Sequence, residues 1–180
     1  MSLRLCPGCW LRRLVQNPYR LLETLGVAEG HVFLDVGCGK GFVSIAAAEM
    51  VGDKGCVYAV DVEQKYLEEV GRRAEALGLK NVKTLLTPAE VLDGVVDESV
   101  DRAVMMLSLH HFVDVRKAFI QLRNKLKPSG RAMMVDPISS RLLGHGTNPS
   151  KVINLMEETG LKPYNLRKGL LLWSAAVKPD

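Results

Sequence analysis

Val32-Phe33-Leu34-Asp35-Val36-Gly37-Cys38-Gly39-Lys40-Gly41 is the stretch on which the fold turns. Its first five residues are apolar but for Asp35, the pattern of a strand buried on both faces, and glycines at alternate positions end it. Phe42 to Val51 follows as an Ala-rich helix, which places the glycines in a strand-to-helix turn. Glycine at such a turn lets the chain bend sharply and lets a ligand approach without meeting a Cβ atom.

The same alternation continues outward. Gly55 to Val60 reads as the next strand, and Tyr66, Leu67, Val70, Ala74 and Leu77 recur at helical spacing before Gly78. Val82 to Leu86 and Val100 to Leu107 are further strands, the latter apolar enough to be covered on both faces. Val115, Ala118, Phe119, Leu122 and Leu126 mark an amphipathic helix, stopped by Pro128-Ser129-Gly130 before a strand over Ala132 to Val135. Asn148-Pro149-Ser150 opens a last helix, and Lys162 to Leu166 and Leu170 to Val177 form a hairpin across Lys168-Gly169. Strands alternating with helices predict an α/β fold, a mostly parallel sheet with helices on both faces, closed by a terminal hairpin.

The 180 residues, 47% hydrophobic and 24% charged, fit one globular domain and exclude disordered, collagenous and coiled-coil classes. No apolar run approaches the ~20 residues of a membrane span, and no secretory core precedes a small-residue cleavage site, which predicts a cytoplasmic protein. The net charge of +4 sits at the ends: residues 1–30 hold four basic and two acidic side chains, and residues 131–180 hold seven and four. That is far from the concentrated basic footprint of a nucleic-acid binder. Cys6-Pro7-Gly8-Cys9 is a single CxxC pair. Neither Cys38 nor Cys56 completes it at zinc-knuckle spacing, so no metal site is expected and the pair reads as a reduced terminal turn, with a redox-sensitive or metal-linked pair as the alternative.

Two features point to chemistry. The glycine turn alone fits many ligands, but a dinucleotide fingerprint wants a small residue where Phe42 stands, which disfavours a nicotinamide-linked oxidoreductase. Asp61, at the end of the second strand, is placed to accept both hydroxyls of a ribose; read structurally, it caps the helix beginning near Glu63. Its place after a glycine-turn unit favours nucleoside binding.

The run VFLDVGCGKGFVSIAAAEMVGDKGCVYAVDVEQKYLEEV resembles the class I S-adenosylmethionine-dependent methyltransferases. The likeness continues through DRAVMMLSLHHF and LRNKLKPSGRAMMVDP to the hairpin and is strongest to the small ubiquinone/menaquinone-methyltransferase-like group. It covers roughly residues 17 to 178. It implies a Rossmann-like, doubly wound seven-stranded sheet in three α/β/α layers, mostly parallel with an antiparallel last strand. It further implies S-adenosyl-L-methionine as cofactor and in-line SN2 transfer of its methyl group to a small-molecule acceptor.

The resemblance assigns Asp35 and the Gly37–Gly39 backbone to the methionine amino end of the cofactor. Asp61 takes the ribose hydroxyls, Val62 presses on the adenine, and the Ala89 N–H in Pro88-Ala89-Glu90 reads the adenine edge. Leu107 lines the site near the sulfonium. Where the family often has Asp, this chain has Pro88, which leaves the adenine to backbone and packing. His110 and Asp136 are the candidate catalytic residues on the acceptor side, His111 reads as structural, and His145 reads as an exposed loop residue. Residues 1–29 are expected to form a helical leader or cap, amphipathic up to Asn17-Pro18, and residues 30–180 the methyltransferase domain. A catalytically inert partner or activator subunit and an RNA methyltransferase are the alternatives, and self-association as a homo-oligomer is left open.

Overall fold

The computed structural model describes residues 17–139 and 146–180. Cys6, Cys9 and His145 lie outside the described residues. In chain order the elements are α1 (Pro18–Leu25), β1 (Val32–Val36), α2 (Phe42–Val51), β2 (Cys56–Asp61), α3 (Gln64–Ala76), β3 (Val82–Leu86) and β4 (Val100–Met106). A 3-10 turn (Leu109–His111), α4 (Val115–Lys125), β5 (Leu126–Pro137), α5 (Pro149–Glu158), β6 (Leu161–Lys168) and β7 (Leu172–Pro179) follow.

The seven strands lie in the order β3-β2-β1-β4-β5-β7-β6. The pairs β3–β2, β2–β1, β1–β4 and β4–β5 are parallel, whereas β7 is antiparallel to both β5 and β6. The predicted class is therefore the observed one, with β7 as the reversed strand. Chain order runs outward from β1 to β3 in one direction and from β4 to β5 in the other, after which β7 lies between β5 and β6. A crevice opens between the carboxyl ends of such a strand pair, where the crossovers lead away to opposite faces.

The period of two along each strand sorts side chains between two cores. Leu34, Ala103, Met105, Met134 and Ala175 face Phe119, Leu122 and Met156 of α4 and α5, with Trp173 fully enclosed among them. Their neighbours Phe33, Val104, Met133, Val135 and Ala176 face the other way, onto Leu21, Leu22 and Leu25 of α1 and Val43, Ala47 and Val51 of α2. α2 is buried nearly all round because it lies between the sheet and its helical neighbours, and alanines let those backbones approach.

Several boundaries differ from the sequence reading. Asn17-Pro18 begins a helix: Asn17 caps α1, accepting from Tyr19 N at 3.1 Å, with Pro18 in its first turn, where a missing N–H costs nothing, while the leader expected before it lies outside the described residues. β5 starts at Leu126, directly after α4, and carries Pro128-Ser129-Gly130 as an irregularity in its pairing with β4. Of the residues that recur at helical spacing, Leu67, Val70 and Ala74 form the buried face of α3, and Tyr66 and Leu77 are not part of it. Leu170 and Leu171 belong to the turn between β6 and β7, not to a strand.

Candidate functional site

A cleft of about 660 Å³ opens at the carboxyl ends of β1, β2 and β4. One wall is the β1–α2 turn with Val36, Gly37, Gly39 and Lys40. A second is the end of β2 and the start of α3, with Val60, Asp61, Val62, Glu63 and Tyr66. The third joins Thr87, Pro88, Ala89 and Glu90 to Leu107, Ser108, His111, Phe112 and Val113 after β4.

The glycine turn is built against the β4 turn. Gly37 has φ +74°, and a Cβ there would stand 2.4 Å from Ser108 Cβ. Ser108 is held in that place by donating its hydroxyl to Val36 O at 2.9 Å. Gly39, at φ +51°, has nothing within 4 Å of where a Cβ would be and borders the cleft. Four of the loop's N–H donors, Gly37, Cys38, Gly39 and Gly41, are already committed. Gly37 N and Cys38 N both donate to Val60 O, at 2.8 and 2.9 Å, and Gly41 N donates to Cys38 O at 3.0 Å. A phosphate needs such N–H groups, so this turn is not a phosphate cradle.

Asp61 organises the centre. Its Oδ2 accepts from Gly39 N at 2.8 Å and its Oδ1 from Glu63 N at 3.0 Å, so one carboxylate ties the glycine turn to the entry of α3. Each carboxylate oxygen has a second lone-pair site, and the residue lines the cleft. A sugar diol matches a carboxylate presented in this way. Val62 beside it is an exposed apolar side chain on the cleft wall, a flat surface for a base. Glu90 Oε1 accepts from Asp114 N at 3.0 Å, joining the turn after β3 to the start of α4.

Of the residues expected from sequence, Gly37, Gly39, Asp61, Val62, Ala89 and Leu107 come together on this cleft. Asp35 does not reach the wall. It is 2% exposed, lies behind the turn, and accepts from Ser44 Oγ at 2.6 Å. Burial pushes its carboxyl up to about 7 despite the Ser44 hydrogen bond. Burial, with Asp35 and Asp61 nearby, also raises the Cys38 thiol, which stays protonated and is no nucleophile.

The two histidines exchange the places expected of them. His111 lines the cleft, while the His110 side chain is only 8% exposed and its Nδ1 lies 2.9 Å from Asp136 Oδ1. Asp136 is fully buried, and desolvation raises its pKa while His110 opposes the rise. Its other oxygen accepts from Thr147 Oγ1 at 2.9 Å, and that hydroxyl accepts from Trp173 Nε1 at 2.8 Å. This chain of hydrogen bonds fastens the β4 turn to β5, β7 and the segment before α5.

Sequence reasoning missed Ser108, Phe112, Tyr66 and Lys40 as cleft residues. Tyr66 fell within a helical apolar period, and Ser108 carries no signal short of its tertiary contact with Gly37. Leu107 carries a conformational signature: a non-glycine residue at φ +56°, held by donating its N–H to Val135 O at 2.7 Å. Such a backbone persists at the end of a strand because its surroundings fix it, and it is characteristic of ligand sites.

A family model described as "Methyltransferase domain" matches residues 28–167. An aklanonic acid methyltransferase from Streptomyces sp. is 30% identical over 119 residues, covering 66% of this chain and 54% of that protein. A 2-phytyl-1,4-naphtoquinone methyltransferase from Trichormus variabilis is 33% identical over 116 residues, 64% of this chain and 50% of that protein. The chain spans about half the length of these curated relatives. The crystal structure of an S-adenosylmethionine-dependent methyltransferase from Aquifex aeolicus superimposes with a TM-score of 0.79 at 25% identity, covering 98% of this chain and 100% of that one.

Proposed function

The chain belongs to the methyltransferase domain family, and from that membership we propose that it binds S-adenosyl-L-methionine in the cleft and methylates a small-molecule acceptor. The observation that carries the proposal is Asp61, a carboxylate on the cleft wall fixed by Gly39 N and Glu63 N with acceptor capacity left for a sugar diol. The residues fit the cofactor. Gly37, Cys38, Gly39 and Gly41 have committed their N–H donors, which disfavours a phosphate, and Val62 and the Pro88–Ala89 backbone offer an apolar slot for a base. Gly39 lets the ligand lie against bare backbone.

When bound, the cofactor supplies a methyl group already activated on a sulfonium. The chain's part is therefore to orient and to exclude water. Asp61 fixes the sugar, while Asp35 supports the turn from behind. Leu107, Phe112 and Val113 line the wall after β4 with apolar surface, which suits a transition state in which charge disperses. His110 and Asp136 we assign as positioning residues. Their pair anchors the turn that carries His111, whose ring centroid lies 4.0 Å from that of His110.

Two of the relatives are methyltransferases of aklanonic acid and of a phytyl naphthoquinone. An acceptor that is a small, largely apolar organic molecule follows from those names and from the apolar wall. An inert activator subunit would need none of this chemistry.

The test is calorimetry with S-adenosylmethionine and S-adenosylhomocysteine, with methyl label from the purified chain followed into fractionated extract. Micromolar binding is expected, weakened at least ~100-fold in Asp61→Ala. That figure corresponds to the loss of two hydrogen bonds to a charged acceptor at about 1.5–3 kcal/mol each. Asp136→Asn is expected to alter KM for the acceptor while leaving cofactor affinity within about twofold. Absence of binding by either compound refutes the proposal, and label transfer by the chain alone eliminates the activator reading.

A further inference from the structure

The turn between β6 and β7 is Gly169-Leu170-Leu171, with Gly169 N donating to Leu172 O at 2.8 Å. Leu170 is 89% exposed and Leu171 51%. Hairpin tips are ordinarily Gly, Asn, Asp or Ser, which suit the backbone and face water. Two leucines held outward there are unusual, and they are not on a loose end. Leu171 O accepts from Ile138 N at 2.8 Å, and Lys168 pairs in register with Trp173, whose side chain is fully buried. The core thus anchors the hairpin up to its turn. Leu166, two residues before Lys168 on the same side of β6, is exposed as well.

Charge sets the partner. Residues 159–179 contain four basic side chains and no acidic one. Lys162, at the far end of the hairpin, pairs with Asp180 at 3.1 Å. Arg167 and Lys168 are the basic pair immediately behind the leucines. A second copy of this chain would bring the same positive tip and meet it with repulsion. An apolar tip backed by two cations instead matches a bilayer carrying anionic headgroups: leucines enter the acyl boundary while Arg and Lys stay at the phosphates.

We propose that the Leu166–Leu171 end of this hairpin docks the protein on an anionic lipid surface. Because β7 runs antiparallel to β5, the tip lies at the carboxyl edge of the sheet, the edge on which the cleft opens. Val113, 98% exposed, adds an apolar side chain on that edge. Docked there, the cleft faces the membrane interface, where a lipid-soluble acceptor resides. That consequence rests on the methyl-transfer reading; the docking does not.

The test is co-sedimentation of the full chain with vesicles of phosphatidylcholine alone and of equimolar phosphatidylcholine and phosphatidylglycerol. Pelleting with the anionic vesicles only, weakened by added salt, is expected. Leu170→Asp/Leu171→Asp and Arg167→Glu/Lys168→Glu should each cut the bound fraction at least about fivefold at unchanged thermal unfolding. Failure of the wild type to pellet overturns the proposal, as does equal pelleting by wild type and variants, which would place binding elsewhere in the chain. A wild-type dimer that the leucine variant dissociates, without vesicle binding by either, overturns it in favour of self-association. None of these readouts requires cofactor, so methyl transfer stands or falls separately.

Discussion

Alanine at Gly37 and alanine at Gly39 separate the two tasks of one turn. At Gly37 the added Cβ would stand 2.4 Å from Ser108 Cβ and 2.9 Å from Ser108 Oγ, where ordinary carbon contacts are about 3.5–4.0 Å. Overpacking of this kind costs about 1–3 kcal/mol, and the left-handed φ of +74° adds about 1–2 kcal/mol for a residue with a Cβ. The sum, about 2–5 kcal/mol, is a large share of a typical domain's stability. At Gly39 there is no neighbour within 4 Å, so only the backbone term of about 1–2 kcal/mol remains. Gly39 borders the cleft, however, and its alanine variant should lose cofactor affinity by about tenfold, or 1.4 kcal/mol. The assays are urea denaturation for stability and calorimetry with S-adenosylhomocysteine for binding. Gly37→Ala combined with Ser108→Gly removes the clashing pair. It should recover about 1–3 kcal/mol relative to additivity, even though Ser108→Gly also loses the bond to Val36 O. If Gly37→Ala unfolds at the same urea concentration as Gly39→Ala, or the double variant shows no coupling, the account of the Gly37–Ser108 contact is wrong.

Three further outcomes follow from the same contacts. Asp35 is raised from 3.8 to about 7 in the folded chain, so the folded state holds its proton more tightly than the unfolded one. The ligand-free protein should lose stability as pH rises from about 4 to about 7, with a slope near 1.4 kcal/mol per pH unit from this group. Asp35→Asn should flatten that window and be the more stable protein at pH 8; a slope unchanged in the variant contradicts the assignment. Trp173→Phe removes the indole donor to Thr147 at 2.8 Å and should cost about 1–3 kcal/mol in denaturation experiments. A loss below about 0.5 kcal/mol would mean that the Trp173–Thr147–Asp136–His110 chain holds nothing together. Thr147→Val breaks the same chain one link on, and its loss combined with Trp173→Phe should be less than additive in a double-mutant cycle.

What the sequence determined by itself is local or periodic. The alternation of apolar runs with helical spacings specified which segments are strands and helices, and the alternating glycines after Val36 marked the turn where a ligand meets backbone. Asp61 was legible because its place at a strand end, one strand after that turn, is a chain-order property. Tertiary structure decided what each buried or polar residue faces. Periodicity records that a side chain lies on one helix face, not whether the sheet or a cleft lies against it, and so Tyr66, within a helical period, lines the cleft without a signal in the sequence. Adjacent histidines have equal chemistry in the sequence. Only the approach of Asp136 from β5 turned His110 inward, while His111 came to line the cleft. The resemblance gave Asp35 a ligand contact, and only the tertiary structure shows it buried behind the turn against Ser44 of α2. Leu170 and Leu171 read as strand because they are apolar. Pairing of Lys168 with Trp173 across the hairpin left no ladder position for them and put them at its exposed tip.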